Sequence, residues 1–266
     1  MFTRIIYGLL STFLFAAGAW GQTNFKKHLA NCGFQGSVTM YDYKNQKWIT
    51  SDSIDSSVPN VPASTFKIIN LLIALETGVI SDELDTVKWV GEINEDLYMH
   101  RPSTYKDMTV KEAFQVSAGW VFMELAKKIG REKYLYYLEA SGYGNRQVND
   151  ESDFWNFGPL AISPRNQIEF LVKVYEGKTP FSQRNIEILK RVMINEKNDD
   201  YILRAKTGWG SQDQKDIGWW VGYVERKDNV YFFSTRITKD KEDQNPEFKD
   251  CRIDITKKAL KEIGAL

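Results

Sequence analysis

Hydrophobic and polar residues alternate in two short segments near the start of the chain. The segments are residues 37–41 (Ser-Val-Thr-Met-Tyr) and 47–50 (Lys-Trp-Ile-Thr), with a polar turn between them. A period of two residues predicts a β-hairpin with one buried face. A nearly continuous apolar run follows Pro62 and reaches Leu75, with Gly78 beyond it. Proline at the start and glycine after the end are typical helix boundaries, so this run is predicted to be a buried helix.

The middle of the chain, from about residue 82 to 200, has the spacing of helices. Apolar residues recur every three or four positions in 110–129 and 168–175, and glycines follow both segments. Beyond residue 200 the pattern predicts three strands and a final helix, namely residues 201–205, 218–224, 230–237 and 254–263. The mixed-charge segment 239–247 is predicted to be a solvated loop.

Strands toward both ends of the chain and helices between them predict an α/β fold of the α+β type. We expect one antiparallel β-sheet flanked by helices, with a mostly helical insert and with edge strands that come from opposite termini. The sequence has no internal repeat, and residues 22–266 are predicted to form one domain.

The first 21 residues are typical of a secretory signal peptide. Arg4 precedes an apolar stretch at 5–17, and small residues around position 20 fit a cleavage site that would leave Gln22 first. The stretch is short for a membrane-spanning helix. We therefore expect an exported protein with no stable membrane insertion after cleavage.

Charge and histidine content exclude several classes of function. The chain has 35 Lys+Arg and 35 Asp+Glu, a balance that argues against a nucleic-acid partner. Its two histidines, His28 and His100, are predicted to be surface or loop residues, and no H-x-H or H-E-x-x-H pattern supports a zinc site. The G-x-S-x-G motif of α/β-hydrolases is also missing. A serine enzyme of this composition needs another base, and lysine is the leading candidate because burial favours its neutral amine.

The two cysteines, Cys32 and Cys251, leave two alternatives open. In an exported protein they could form a disulfide between the N-terminal and C-terminal regions. Two separate buried thiols are the other interpretation. Neither cysteine has neighbours at metal-ligand spacing, so no metal site is predicted.

An S-x-x-K motif occurs twice, at Ser64–Lys67 and at Ser103–Lys106. The first copy lies at the predicted helix start, where residues three apart share a face and backbone N–H groups favour a developing oxyanion. The apolar run after it predicts that Lys67 is desolvated. Because the second copy has no such run, it is interpreted as a loop.

Further short motifs follow in a fixed order after Pro62-Ala63-Ser64-Thr65-Phe66-Lys67. They are Ser117-Ala118-Gly119, Tyr143-Gly144-Asn145, Phe154-Trp155 and Lys206-Thr207-Gly208. This series resembles the class D β-lactamases over nearly the whole chain from about residue 34. Tyr-Gly-Asn is the discriminating motif, because class A enzymes have Ser-Asp-Asn in the comparable role.

The resemblance implies hydrolysis of a small-molecule β-lactam through a serine acyl-enzyme, and therefore antibiotic resistance. Ser64 would be the nucleophile, and Lys67, N-carboxylated by carbon dioxide, the general base. Trp155 would hydrogen-bond that carbamate, and Ser117 would shuttle protons. No other cofactor is implied, and the oligomeric state stays open.

The same resemblance implies a set of substrate-binding residues. Lys206, Thr207 and Arg252 would contact the substrate carboxylate, with Arg252 just before the last helix. The backbone N–H groups of Ser64 and Trp209 would form the oxyanion hole. The remaining residues assigned to substrate binding are Gly208, Tyr143 and Asn145.

One residue departs from the family pattern. The family's Ser-x-Val motif has Gly119 as its third residue here. The missing valine side chain would normally pack beside the modified lysine, so we expect the carbamate to be less well retained unless Trp120 fills the gap.

Two other functions share these motifs. A β-lactam sensor would trap the acyl-enzyme but would need transmembrane helices before the domain. A penicillin-binding peptidase is usually larger or membrane-anchored. Both alternatives acylate but turn over slowly.

Overall fold

A six-stranded antiparallel β-sheet forms the centre of the computed structural model, which describes residues 25–94 and 100–266. The strands of this sheet are β1 (Gln35–Asp42), β2 (Lys47–Thr50), β5 (Ile194–Lys197), β6 (Tyr201–Gln212), β7 (Lys215–Arg226) and β8 (Val230–Asp240). A separate two-stranded sheet consists of β3 (Thr86–Val87) and β4 (Met108–Thr109). The predicted antiparallel sheet of an α+β fold is confirmed.

Helices lie on both faces of the large sheet. They are α1 (Lys26–Cys32), α2 (Lys67–Glu76), α3 (Val110–Val116), α4 (Gly119–Ile129), α5 (Arg131–Ser141), α6 (Pro164–Tyr175), α7 (Gln183–Val192) and α8 (Phe248–Glu262). Short 3₁₀ helices occur at Asp55–Ser57, Ala63–Phe66 and Pro102–Thr104. No helix of the described residues is long and apolar enough to cross a membrane. The predicted signal peptide, residues 1–21, lies outside the described residues.

The order of strands brings the two ends of the chain together inside the sheet. The order is β2-β1-β8-β7-β6-β5, so the first strand pairs with the last one. The prediction that edge strands come from opposite termini is therefore wrong, because the second edge strand is β5 from the middle of the chain. Strand β5 is not recognised because its sequence, Ile-Asn-Glu-Lys, has a single apolar residue and therefore no apolar alternation.

Two hydrophobic cores lie on opposite faces of the sheet. Strand β7 contributes to both of them through the neighbouring residues Trp219 and Trp220. Trp219 packs in the core beneath the helical insert, whereas Trp220 packs in the core beneath α1 and α8. Successive strand residues point to opposite faces, so a strand buried on both sides has apolar residues without alternation. Gly222 on the same strand is required by close packing, since a Cβ there would lie 2.0 Å from the carbonyl oxygen of Arg204.

Several element boundaries differ from the predicted ones. The segment 110–129 is two helices, because Ser117 adopts a left-handed conformation (φ 60°) that ends α3. Strand β6 extends to Gln212, so the Lys-Thr-Gly motif lies within a strand instead of following it. Helix α8 begins at Phe248, six residues early, because its first turns are charged on their outer side while Phe248 is fully buried.

The segment 239–247 is only partly the solvated loop that we expected. Lys239 belongs to β8, its side chain is 6% exposed, and it pairs with Asp216 at 3.1 Å. His28 also differs from its prediction as a surface residue. It is buried in α1, and its Nε2 lies 2.8 Å from a carboxylate oxygen of Glu262.

A disulfide joins Cys32 to Cys251 and decides between the two alternatives for the cysteines. It connects α1 to α8, with a Cα–Cα distance of 6.2 Å and a sequence separation of 219 residues. In the chain-entropy model, closing a loop of this size disfavours the unfolded state by up to about 5 kcal/mol. The bridge therefore ties the segment before the sheet to the helix that carries Arg252.

Candidate active site

Ser64 and Lys67 meet where a 3₁₀ turn continues into a buried helix. Ser64 lies in the turn Ala63–Phe66, and Lys67 is the first residue of α2. Their separation of three residues places both side chains on one face, and the Lys67 Nζ donates to the Ser64 Oγ at 2.8 Å. The predicted pairing of hydroxyl and amine in the first S-x-x-K copy is therefore present in the structure.

The Lys67 amine is almost completely removed from solvent. Lys67 is 1% exposed, and its Nζ lies 5.4 Å from the centre of the Phe122 ring. Burial lowers its pKa from 10.5 to about 8, while the carboxylate of Asp153 acts in the opposite direction and Arg101 lowers it further. A lysine with this pKa is partly neutral near pH 7, as a base or nucleophile must be.

Ser117 and Lys206 form a second hydroxyl–amine pair. The Lys206 Nζ donates to the Ser117 Oγ at 2.9 Å and to the backbone oxygen of Thr207 at 3.0 Å. Burial and the charges of Lys67 and Arg252 lower the pKa of Lys206 well below its ordinary value. Because Ser117 ends α3 in a left-handed conformation, its hydroxyl points toward strand β6.

Strand β6 and helix α8 supply one wall of the site. Arg252 is 6% exposed and its guanidinium donates to the Gly208 backbone oxygen. Burial lowers the pKa of Arg252 to about 10, so the side chain stays charged at neutral pH. Gly208 is required here because a Cβ would lie 3.0 Å from the Pro62 oxygen and 3.3 Å from the Thr65 nitrogen. The strand thus packs directly against the turn that carries Ser64. Arg252 lies within α8 and not before it, which corrects the prediction.

Most of these residues line one cavity of about 590 Å³, whereas Lys206 is not part of its lining. Of the predicted site residues, the cavity wall includes Ser64, Lys67, Ser117, Thr207, Gly208, Trp209 and Arg252. Two further cationic residues, Arg101 and Lys249, also line it, whereas no described lining residue is acidic. A cavity of this size and charge fits a small anionic molecule.

Tyr143 and Asn145 do not line this cavity, and their role in substrate binding stays a prediction. The Tyr143 side chain is 0% exposed and its ring packs against Phe66 and Phe170. The Asn145 side chain donates to the Pro159 oxygen at 2.8 Å and accepts from the Ala161 nitrogen at 3.1 Å. The Tyr-Gly-Asn motif therefore fixes the loop that follows Trp155.

Trp155 lies behind the cavity instead of on its wall. Its ring stacks on Phe66, the residue before Lys67, with 4.9 Å between the ring centres. The residue is fully buried, and its Nε1 has no hydrogen-bond partner among the described residues. A buried donor without an acceptor is costly, so a hydrogen-bond acceptor placed beside this N–H would be favourable.

The second S-x-x-K copy lies outside this arrangement. Ser103 is exposed in a 3₁₀ turn, and Lys106 pairs with Glu112 at 2.9 Å. The neighbouring Thr104 and Tyr105 line the cavity, and the indole N–H of Trp120 donates to the Thr104 oxygen at 2.8 Å. The interpretation of this copy as a non-catalytic segment agrees with its geometry.

Sequence reasoning missed Arg101, Lys249 and Asp153. Arg101 stands two residues before the second S-x-x-K copy in a segment without periodicity, so no sequence signal marks it. Asp153 precedes the recognised Phe154-Trp155 pair and is 6% exposed, which an isolated acidic residue does not predict. His100 is exposed, as predicted, and no group of metal-binding side chains occurs among the described residues.

Comparisons with known proteins agree with this geometry. The model of the penicillin-binding protein transpeptidase domain matches residues 36–260. The chain is 36% identical to β-lactamase OXA-48 of Klebsiella pneumoniae over 240 residues, which are 90% of this chain and 87% of that one. A class D β-lactamase structure from Sebaldella termitidis has a TM-score of 0.86 and 41% identity, covering 93% and 100% of the two chains. The C-terminal domain of the Bacillus licheniformis BlaR penicillin receptor has a TM-score of 0.83 and 27% identity, covering 92% and 96%.

Proposed function

This chain belongs to the penicillin-binding transpeptidase family and, within it, to the class D β-lactamases, and we propose on this premise that it hydrolyses penicillin-type antibiotics and confers resistance to them. The observation that supports this function most directly is the 2.8 Å contact between the Lys67 Nζ and the Ser64 Oγ, in a cavity whose charged lining residues are all cationic. The pair supplies a nucleophile and a base without any imidazole.

In the acylation step, the Ser64 Oγ attacks the lactam carbonyl carbon while Lys67 accepts its proton. The lactam C–N bond then breaks, and the leaving nitrogen takes a proton through Ser117, whose hydroxyl lies 2.9 Å from the Lys206 Nζ. The backbone N–H groups of Ser64 and Trp209 hold the developing oxyanion. The tight packing of Gly208 against the turn of Ser64 supports this placement.

The substrate carboxylate binds at the wall formed by Thr207 and Arg252, next to Lys206, whose Nζ donates to the Thr207 oxygen at 3.0 Å. Lys206 and Arg252 are both buried, so an anion between them meets little competition from water. A guanidinium can donate two parallel hydrogen bonds to a carboxylate. This anion also offsets the repulsion that lowers the pKa of Lys206.

The residues around Lys67 fit an N-carboxylated lysine. The amine is buried with a pKa of about 8, and the buried Trp155 Nε1 has no acceptor among the described residues. When present, the carbamate would supply a general base for acylation and for activating the hydrolytic water. Lys67 would hold it and Trp155 would donate to it.

Export of the protein is supported by the signal-like residues 1–21 and by the disulfide. Bonds such as Cys32–Cys251 form in oxidising compartments outside the cytosol. We propose a secreted or periplasmic protein that meets its substrate there. The mass of the mature protein checks this, since cleavage before Gln22 gives a defined N-terminus and an intact leader would contradict it.

A single kinetic trace distinguishes hydrolysis from slow-turnover acylation. With a chromogenic cephalosporin or penicillin in large excess, we expect many turnovers per active site. The alternative functions are a receptor-type sensor, to which the structure is also similar, and a peptidase. Either would give a burst of one equivalent of product per active site and no further turnover. That result would contradict the proposal.

Gly119 gives a prediction about the carbamate. It begins α4 and lines the cavity together with Lys67, and the indole of Trp120 donates to the Thr104 oxygen. Turnover by the wild-type protein should therefore rise about severalfold when bicarbonate is added to degassed buffer, because water reaching the carbamate favours its loss. Gly119→Val should reduce this dependence. Equal rates with and without bicarbonate at every pH would contradict the prediction.

A further inference from the structure

The cavity contains a cationic residue, Arg101, that the proposed mechanism does not use. Two hydrogen bonds fix the backbone of Arg101. Its N–H donates to the Tyr105 hydroxyl at 3.1 Å, and its carbonyl oxygen accepts from the Thr104 nitrogen at 2.9 Å. Thr104 is in turn bonded to the buried Trp120, and Tyr105 stacks on Trp89 with 5.2 Å between ring centres. Arg101 is thus fixed to the aromatic wall of the site.

The guanidinium of Arg101 reaches the end of helix α3. One nitrogen donates to the Val116 oxygen at 2.6 Å and the other lies 3.4 Å from the Ser117 oxygen. Both acceptors are neutral carbonyls, and within residues 25–94 and 100–266 no carboxylate forms an ion pair with this side chain. Five N–H groups are available to a guanidinium, so donors remain for a ligand.

The charge of Arg101 acts inside the reaction site. It lowers the pKa of Lys67 and that of Lys206, which are the amines of the two hydroxyl–amine pairs. The charge of Arg101 repels both lysines and has no carboxylate partner among the described residues, which makes an additional anion in the cavity favourable.

Arg101 and Arg252 stand on different walls of the cavity. Arg252 extends from α8 and donates to Gly208 on strand β6, whereas Arg101 extends from the segment 100–105 and donates to the end of α3. In the proposed function, the β6 wall takes the carboxylate on the fused ring. An anion bound by Arg101 would therefore belong to another part of the substrate.

We propose that Arg101 is a specificity-determining residue that favours penicillins with a second carboxylate, carried on the acyl side chain. The inference rests on the proposed function, because it takes the ring carboxylate to be bound by Lys206 and Arg252. Carbenicillin is such a substrate, and it differs from benzylpenicillin only by the α-carboxylate. This matched pair isolates the contribution of one negative charge.

The test compares acylation rate constants for the two penicillins in wild-type protein and in Arg101→Gln, followed by intact mass. The ratio of carbenicillin to benzylpenicillin should fall about tenfold in the variant, the size of one charge contact in a partly screened site. Arg101→Lys should recover part of the ratio. Ampicillin, whose α-substituent is an amine, should not lose reactivity in Arg101→Gln relative to benzylpenicillin.

Arg146→Gln is the matched control, since it removes the same charge from an exposed pair with Glu139 outside the cavity. Its ratio should equal that of the wild type. Rising salt should also lower the wild-type ratio, which tests the charge effect without any variant.

An equal loss for both penicillins in Arg101→Gln would show that the side chain only stabilises the end of α3, and it would overturn the proposal. An unchanged ratio would overturn it as well. Because acylation is measured directly, these outcomes are separate from failure of the proposed function, which would appear as a stable adduct without turnover.

Discussion

Ser64→Ala should abolish β-lactam turnover, lowering kcat by about 10⁴-fold or more. The substitution removes only the oxygen that accepts from the Lys67 Nζ at 2.8 Å, and with it the atom that forms the acyl-enzyme. Loss of the nucleophile in a serine hydrolase leaves only the small rate enhancement that binding and the oxyanion hole provide. Steady-state hydrolysis of a chromogenic substrate measures the loss, and intact mass should detect no covalent adduct.

Ser103→Ala is the control that the chain itself offers. Ser103 begins the second S-x-x-K copy, yet it is exposed, and its Lys106 pairs with Glu112 instead of with the serine. This variant should hydrolyse substrate at the wild-type rate and give the same adduct. If Ser64→Ala kept substantial activity, or if Ser103→Ala lost it, the nucleophile would be assigned wrongly.

The local part of the site could be predicted from the sequence because it depends on helix geometry alone. Ser64 and Lys67 lie three residues apart at the start of an apolar helix, which is sufficient to place them on one face and to bury the amine. The hairpin and the C-terminal strands followed in the same way from alternation and turn residues. Boundaries were less predictable where packing overrides local pattern, as at the buried Phe248 in the charged start of α8.

The long-range part could not be derived from local pattern. Ser117 and Lys206 are 89 residues apart, and their contact depends on how strand β6 lies beside the end of α3. No sequence motif marks Arg101, because its position on the cavity wall depends on tertiary packing. Tyr143 shows the opposite case, since its motif was recognised while the structure gives the side chain a place in the core. A motif identifies a family, but each residue's contacts depend on tertiary packing.

The buried cationic residues of this site reduce the stability of the folded state. Lys67, Lys206 and Arg252 are each at most 6% exposed, and burial lowers the pKa of all three. Buried like charges are tolerated where they bind or transform an anion, and the rest of the fold must offset them. The disulfide between α1 and α8 lies beside Arg252 in sequence and contributes to that offset.

Lys67→Met should decrease activity without decreasing stability, because it removes one of these buried cationic groups. Methionine fills similar volume but has no amine, so turnover should fall by about 10³-fold, as expected for loss of a general base. The protein should remain folded, with a melting temperature equal to or above that of the wild type, because a buried cation is removed. Ser64 is still present, so slow acylation should leave an adduct that accumulates to one equivalent.

The wild-type pH profile tests the same residue without any substitution. Only the neutral amine can accept the Ser64 proton or react with carbon dioxide, and the pKa of Lys67 is about 8. In degassed buffer, kcat/KM should therefore increase with pH through about 8 and fall about tenfold for each pH unit below it. Carboxylation removes the neutral amine from its protonation equilibrium. Bicarbonate should therefore shift the rising part of the kcat/KM profile to lower pH. If Lys67→Met turned over at the wild-type rate, or if the wild-type profile in degassed buffer were flat between about pH 6 and 9, Lys67 would not be the base.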